Sequence, residues 1–113
     1  MQLNKKSKIF IAGHNGMVGS SILKYFKKKG YTNIYVRERK ALNFLDKDKT
    51  IKYLKKIKPH FAVIAAAKVG GIMANHKFKG EFIYENLMIQ TNLIHASYLA
   101  GVKKLIFLGS SCI

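Results

Sequence analysis

The chain has 113 residues, of which 49% are hydrophobic, and it carries 21 lysines and arginines against 5 aspartates and glutamates. This length allows at most one domain, and the apolar content excludes an intrinsically disordered chain. No run of about 18 apolar residues indicates a membrane span, and the first apolar run is too short for a signal peptide. The single cysteine, Cys112, can form no internal disulfide, which predicts a reducing, cytoplasmic location.

The net charge of +16 would suit a nucleic-acid-binding surface. However, the charge is nearly all lysine, and it is spread over several predicted helices. Arg37 and Arg39 are the only arginines, although arginine marks nucleic-acid surfaces better than lysine does. We therefore expect solvated lysine faces and no specific nucleic-acid site, with weak, salt-sensitive binding to polyanions.

The first half of the chain predicts strands and helices in alternation. Residues 9–12 form a continuous apolar run that is typical of a strand buried on both faces, and a helix is predicted over 17–29. A short strand follows at 34–36, and a helix at 47–57 that Pro59 ends. The apolar positions of the first helix are Val18, Ile22, Leu23, Tyr25 and Phe26.

The second half repeats the alternation with a third strand at 61–65, a loop at 66–79, a long helix at 81–100 and a fourth strand at 105–108. Strands that alternate with helices predict right-handed βαβ units and a parallel sheet of about four strands. The long helix carries enough apolar side chains to bury most of one side: Phe82, Ile83, Leu87, Ile89, Leu93, Ile94 and Ala96.

Three glycines follow the first strand with the spacing G-x-x-G-x-x-G and lead into the first helix. Gly13 would allow a tight turn, Gly16 would let the backbone approach a pyrophosphate, and Gly19 would let the helix pack close to the sheet. A strand, a glycine-rich turn and a helix in this order present backbone N–H groups to a phosphate. The sequence therefore predicts a dinucleotide site, with an ordinary turn as the alternative.

Arg37, Glu38 and Arg39 follow the second strand, where a dinucleotide fold contacts the adenosine ribose. An acidic residue there accepts a hydrogen bond from the 2′-OH of NAD, whereas an arginine accommodates the 2′-phosphate of NADP. Two guanidinium groups around one carboxylate favour NADP. The alternative is that all three are plain surface charges.

Five runs of the sequence carry a resemblance to a known family. They are residues 10–19, 42–46, 65–72, 82–86 and 107–113. The most specific are Ala65-Ala66-Ala67-Lys68-Val69-Gly70-Gly71 and Gly109-Ser110-Ser111-Cys112-Ile113. With these runs the chain resembles the extended short-chain dehydrogenase/reductase family, most closely its GDP-L-fucose synthases, which convert GDP-4-keto-6-deoxy-D-mannose by 3,5-epimerisation and NADPH-dependent 4-reduction.

The resemblance implies an α/β fold with a Rossmann-like parallel sheet, here an incomplete doubly wound fold without the substrate domain. It implies NADP as cofactor, a GDP-sugar as substrate and a homodimer for the full-length enzyme. Arg39 would meet the 2′-phosphate and Asp46 would lie near the adenine. One departure from the family is Asn15, where an arginine is common. The implied cofactor residues are Gly13, His14, Asn15, Gly16, Met17, Val18, Gly19, Arg39, Asp46, Ala65, Ala66, Ala67, Leu108, Gly109, Ser110 and Ser111.

The same resemblance assigns catalytic roles to Ser110, which would hydrogen-bond the sugar C4 oxygen, and to Cys112, which would act with a histidine in epimerisation. That histidine and the family's Tyr-x-x-x-Lys proton donor are expected beyond residue 113, because neither Tyr84 nor Tyr98 is followed by lysine at this spacing. We therefore interpret residues 1–113 as the N-terminal part of an NADP-binding domain, inactive alone, whose fourth strand would be an apolar sheet edge.

Two other interpretations stay open at this point. One is a different nucleotide-sugar epimerase or dehydratase of the same superfamily. The other is a non-catalytic basic module that binds NADP or polyanions. The four histidines are widely spaced, so no metal site is expected.

Overall fold

The computed structural model describes residues 3–65 and 79–108, and the side chains of residues 79–82 are not described. The elements in chain order are β1 (Ile9–Ala12), α1 (Met17–Lys28), β2 (Ile34–Tyr35), α2 (Lys47–Ile57), β3 (Phe61–Ile64), α3 (Lys79–Leu99) and β4 (Lys104–Phe107). The predicted alternation is therefore confirmed, with boundaries that differ by one or two residues.

The strands form one parallel sheet in the order β2-β1-β3-β4. Ile9 lies beside Ile34 on one side and beside Phe61 on the other, and Phe61 lies beside Lys104. Every residue of β1 and β3 is buried, as expected for central parallel strands covered on both faces. The arrangement is a Rossmann-like α/β fold.

Alternate side chains of the central strands build two separate apolar layers. Ile9, Ile11, Phe61 and Val63 point to one face, where the α1 side chains Ile22, Leu23 and Phe26 pack. Phe10, Ala12, Ala62 and Ile64 point to the other face and form a cluster with Leu54 and Ile57 of α2 and Leu93 and Ala96 of α3. Helices therefore cover both faces of the sheet, as right-handed crossovers require.

Not all of the apolar helix positions are buried. On α1, Val18 and Tyr25 are each 54% exposed, whereas Ile22, Leu23 and Phe26 pack against the sheet. On α3, Leu87 is 56% exposed and Ile94 is 41% exposed. Leu93 and Ala96 meet α2 and the sheet, and a second apolar stripe of α3 is left facing solvent.

The fourth strand is an apolar sheet edge, as the sequence indicated. β4 lies at the end of the strand order, and all four of its residues are exposed. Because successive side chains of a strand point to opposite faces, β4 is uncovered on both sides by the residues that the structure describes. No helix among them is long and apolar enough to cross a bilayer.

Helix α2 begins at a capping side chain and ends at a left-handed residue. The side chain of its N-cap, Asp46, accepts a hydrogen bond of 3.1 Å from the backbone N–H of Lys49. Lys58 closes the helix with φ 47°, directly before Pro59. The end at Pro59 confirms the expectation from the sequence.

We expect Asp46→Ala to lower the free energy of unfolding by about 1 kcal/mol, because the Lys49 N–H loses its acceptor. Asp46→Ser should retain most of the stability, since serine can also cap a helix. Urea denaturation measures both variants. Equal stability of Asp46→Ala and the unsubstituted chain would contradict the capping role.

Candidate nucleotide-binding site

The carboxyl ends of the parallel strands meet at one edge of the sheet. There the Ala65 N–H donates to the Ala12 carbonyl at 2.9 Å, and the Leu108 N–H donates to the Ile64 carbonyl at 3.0 Å. Gly13, Ala65 and Leu108 therefore follow three neighbouring strands side by side. The helices that come after β1 and β3, α1 and α3, cover opposite faces of the sheet. The crevice between these two strands is therefore a topological switch point, where open α/β sheets bind ligands.

The glycine turn after β1 requires glycine at positions 13 and 19. Gly13 has φ 87°, in the left-handed region that favours glycine, and its carbonyl accepts a 3.1 Å hydrogen bond from the Gly16 N–H. Gly19 is buried against this turn, and a Cβ there would lie 1.8 Å from the Gly13 oxygen. The first turn of α1 can reach this position only because residue 19 has no side chain.

The start of α1 offers unpaired backbone donors. Gly16 is its N-cap and supplies no capping side chain, and no acidic residue occurs in the first turn. The first N–H groups of a helix have no partner within the helix and carry a partial positive charge. At α2 the side chain of Asp46 serves as such a partner, whereas at α1 the place stays open to an anion such as phosphate.

A carboxylate from the segment that follows β2 contacts the glycine turn. Glu38 accepts a hydrogen bond of 2.8 Å from Asn15 Nδ2 at Oε2 and one of 3.1 Å from His14 Nε2 at Oε1. Because an ionised carboxylate only accepts, His14 carries a proton on Nε2. The hydrogen bond from Asn15, followed by that from His14, lowers the pKa of Glu38 below its ordinary value.

We expect Asn15→Ala to raise the pKa of Glu38 toward its ordinary value, because the Asn15 hydrogen bond is the largest cause of the lowering. NMR of the side-chain carboxyl carbons measures this pKa. Asn33→Ala is the matched control, since the Asn33 amide donates instead to the Lys6 carbonyl. An unchanged Glu38 pKa in Asn15→Ala would contradict the contact.

The lowered pKa of Glu38 also determines how this residue changes the stability of the fold with pH. A carboxyl whose pKa is lower in the folded chain stabilises the fold at pH values above the pKa of an unfolded glutamate. This contribution is lost as the pH falls through the lowered value of folded Glu38.

The arrangement of the two arginines differs from the sequence interpretation, which placed both around Glu38. The Arg37 guanidinium carbon lies 5.0 Å from the centre of the Tyr53 ring on α2. Burial raises the pKa of Tyr53, and the charge of Arg37 opposes this rise. Arg39 is exposed, and in the described part of the chain the partners of Glu38 are His14 and Asn15, with no ion pair to arginine.

The remaining predicted residues fall into two groups. Met17 is 86% exposed at the start of α1, beside Val18, and Asp46 is engaged as a helix cap. Ala66, Ala67, Gly109, Ser110, Ser111 and Cys112 lie outside the described residues.

One Tyr-x-x-x-Lys spacing does occur in the chain, at Tyr25 and Lys29. Lys29 Nζ lies 5.7 Å from the centre of the Tyr25 ring. Tyr25 is eight positions beyond Met17 on α1, which is about 12 Å along the helix axis from the end at the glycine turn. This pair therefore lies away from the strand ends and is not a proton donor at the site.

Sequence reasoning missed the contacts of His14 and Asn15 with Glu38. The topology could have indicated them, because β1 and β2 are adjacent and parallel and so bring the residues after both strands to the same edge. The choice of partners within that cluster depends on side-chain conformations that spacing does not fix.

Comparison with known proteins gives one consistent family. The profile of the NAD dependent epimerase/dehydratase family matches residues 9–113. The chain is 48% identical over 111 residues to putative GDP-L-fucose synthase 2 of Arabidopsis thaliana, covering 98% of this chain and 34% of that protein. It is 45% identical over 108 residues to GDP-L-fucose synthase of Escherichia coli K12, and the match covers 96% of this chain and 34% of that protein.

A solved structure agrees with these relatives. MlghC, a GDP-mannoheptose C4 reductase from Campylobacter jejuni with NADP bound, superposes with a TM-score of 0.90 at 39% identity, covering 96% of this chain and 34% of that one. The chain thus spans about a third of the length of the proteins it matches. It belongs to the NAD dependent epimerase/dehydratase family, as a homologue of the GDP-L-fucose synthases.

Proposed function

We propose that this chain binds NADP(H) at the glycine turn, as the N-terminal cofactor-binding portion of a GDP-sugar epimerase–reductase of the GDP-L-fucose synthase type. The observation that carries the proposal is the uncapped start of α1 at the switch point of the sheet. Its unpaired N–H groups and the absence of a Cβ at Gly16 fit a pyrophosphate.

The rest of the cofactor would extend along the strand ends. In this proposal the pyrophosphate lies on residues 13–19, the 2′-phosphate meets Arg39, and the adenine lies near Asp46. Ala65 and Leu108, which follow neighbouring strands, would line the path to the nicotinamide together with Ala66, Ala67, Gly109 and Ser111. The bound cofactor would supply the hydride for a 4-reduction.

The reaction of the whole enzyme would be conversion of GDP-4-dehydro-6-deoxy-D-mannose to GDP-L-fucose. Epimerisation beside a ketone needs an acid and a base for carbon-bound protons, and a donor to the ketone oxygen stabilises the enolate. We assign the donor role to Ser110 and a proton-exchange role to Cys112, each following β4. The substrate domain and the remaining proton donor would come from the other two thirds of such an enzyme.

A chimera tests this proposal. Residues 1–113 would replace the matching N-terminal third of Escherichia coli GDP-L-fucose synthase, which is 45% identical here. We expect the chimera to consume NADPH with GDP-4-dehydro-6-deoxy-D-mannose, and Ser110→Ala in it to lower kcat by roughly a hundredfold. The chain alone should show no turnover. A folded chimera that binds NADPH without turning over the sugar would contradict the proposed reaction.

A second candidate is the reduction of a GDP-heptose at C4, which the 39% identity to the Campylobacter jejuni reductase favours. The same chimera is built on that protein, and both chimeras are assayed with both sugars. Turnover of the GDP-heptose by both chimeras would favour this second candidate, and turnover of GDP-4-dehydro-6-deoxy-D-mannose by both would favour the first.

The basic-module alternative is less well supported by the fold. The lysine-bearing helices α1 and α2 cover opposite faces of the sheet, so their charge does not form one face. Polyanion binding should collapse with added salt, whereas a folded cofactor site should still distinguish NADPH from other anions.

A further inference from the structure

Glu38 connects the glycine turn with the segment after β2, where a dinucleotide fold contacts the adenosine ribose. Its carboxylate is held by Asn15 and His14 of the glycine turn, at 2.8 and 3.1 Å. The His14 side chain is only 10% exposed, whereas that of Glu38 is 63% exposed. The carboxylate is therefore fixed from the protein side and open toward solvent.

The Glu38 carboxylate can only accept further hydrogen bonds. A carboxylate has about four lone-pair sites, and the two protein contacts leave the others unused. An ionised carboxylate at this place can accept hydrogen bonds from ribose hydroxyl groups, which is how acidic residues after the second strand contact NAD. A 2′-phosphate offers negative charge and acceptor oxygens, so Glu38 would repel it.

The cations near Glu38 are less fixed in position than its carboxylate. Arg37 lies against the Tyr53 ring, and the glycine turn carries the neutral Asn15, whose amide donates to Glu38. Arg39 directly follows Glu38 in the sequence, Lys40 comes one residue later, and both are exposed. Hydrogen bonds therefore hold the Glu38 carboxylate in place, whereas no described ion pair holds Arg39 or Lys40.

We propose that Glu38, held by His14 and Asn15, is a specificity-determining residue that keeps the preference for NADP(H) over NAD(H) small. It does so by accepting a hydrogen bond from the ribose 2′-OH of NAD(H) and by repelling the 2′-phosphate of NADP(H). This inference rests on the proposed function, since it requires that a nicotinamide dinucleotide binds at the glycine turn.

The test compares dissociation constants for NADPH and NADH, measured by calorimetry on the full chain. In the unsubstituted chain the two constants should differ by less than about tenfold. Glu38→Gln keeps the shape and removes the charge, and it should raise the ratio of the NADH to the NADPH constant by about tenfold. Asn15→Arg, which removes the amide donor and adds a guanidinium, should shift the ratio in the same direction.

Asp48→Asn is the matched control, because it removes one exposed negative charge from the first turn of α2 and should leave the ratio unchanged. A ratio that Glu38→Gln and Asn15→Arg both leave unchanged, in variants that still bind NADPH, would overturn the role of Glu38 and leave the proposed function standing. A folded chain that binds neither dinucleotide would overturn the proposed function and this inference together.

Discussion

Gly19→Ala should destabilise the chain by about 3 kcal/mol or more, because the new Cβ has no room. It would lie 1.8 Å from the carbonyl oxygen of Gly13 and 2.6 Å from the carbonyl carbon. Both atoms belong to the backbone, so relief requires that α1 moves away from the glycine turn. We expect loss of cooperative unfolding in urea or a large fall in the midpoint.

Gly16→Ala is the matched control for Gly19→Ala. A Cβ at Gly16 would lie 3.5 Å from the Gly13 oxygen, which is ordinary van der Waals contact. The Gly16 variant should therefore fold with a loss of less than about 1 kcal/mol, yet bind NADPH more weakly, because its methyl group occupies the approach to the helix start. Equal stability losses in the two variants would contradict the packing of α1 on the turn.

The second large effect concerns the packing of α3. Leu93→Ala should lower the free energy of unfolding by about 2–5 kcal/mol, since Leu93 is fully buried in the cluster with Leu54 and Ala96. Leu87→Ala makes the same change on the same helix at a position that is 56% exposed, and it should cost less than about 0.5 kcal/mol. The two variants share the same change in helix propensity, so their difference measures burial.

Urea denaturation with an unchanged m-value measures both leucine variants. Equal losses for Leu93→Ala and Leu87→Ala would show that α3 does not present these two faces as described. A smaller loss at Leu93 than at Leu87 would reverse the orientation of the helix on the sheet.

The sequence predicted the order and type of the elements because each has a local cause. The run 9–12 has no polar interruption, Pro59 cannot continue α2, and the chain alternates short apolar runs with longer amphipathic ones. Periodicity was a weaker guide to burial on α3. Its apolar residues occur on more than one side, and which side packs depends on where α2 lies.

The site was predicted in part, again for identifiable reasons. The roles of Gly13 and Gly19 in the turn follow from what a strand-to-helix connection demands of the backbone. The engagement of Arg37 with Tyr53 could not be predicted, because these residues are distant in sequence and meet only once α2 crosses the sheet. For the same reason Glu38 was grouped with its neighbours in sequence, and not with the turn that it contacts.

The most direct test of the account is an NMR titration of the isotope-labelled chain with NADP⁺. The account predicts saturable shifts of the backbone amide signals of residues 14–19, at the glycine turn and the uncapped start of α1. Gly16→Ala should weaken these shifts while the rest of the spectrum stays folded. A folded chain whose turn amides do not respond to NADP⁺, or respond only as free phosphate makes them respond, would contradict a dinucleotide site.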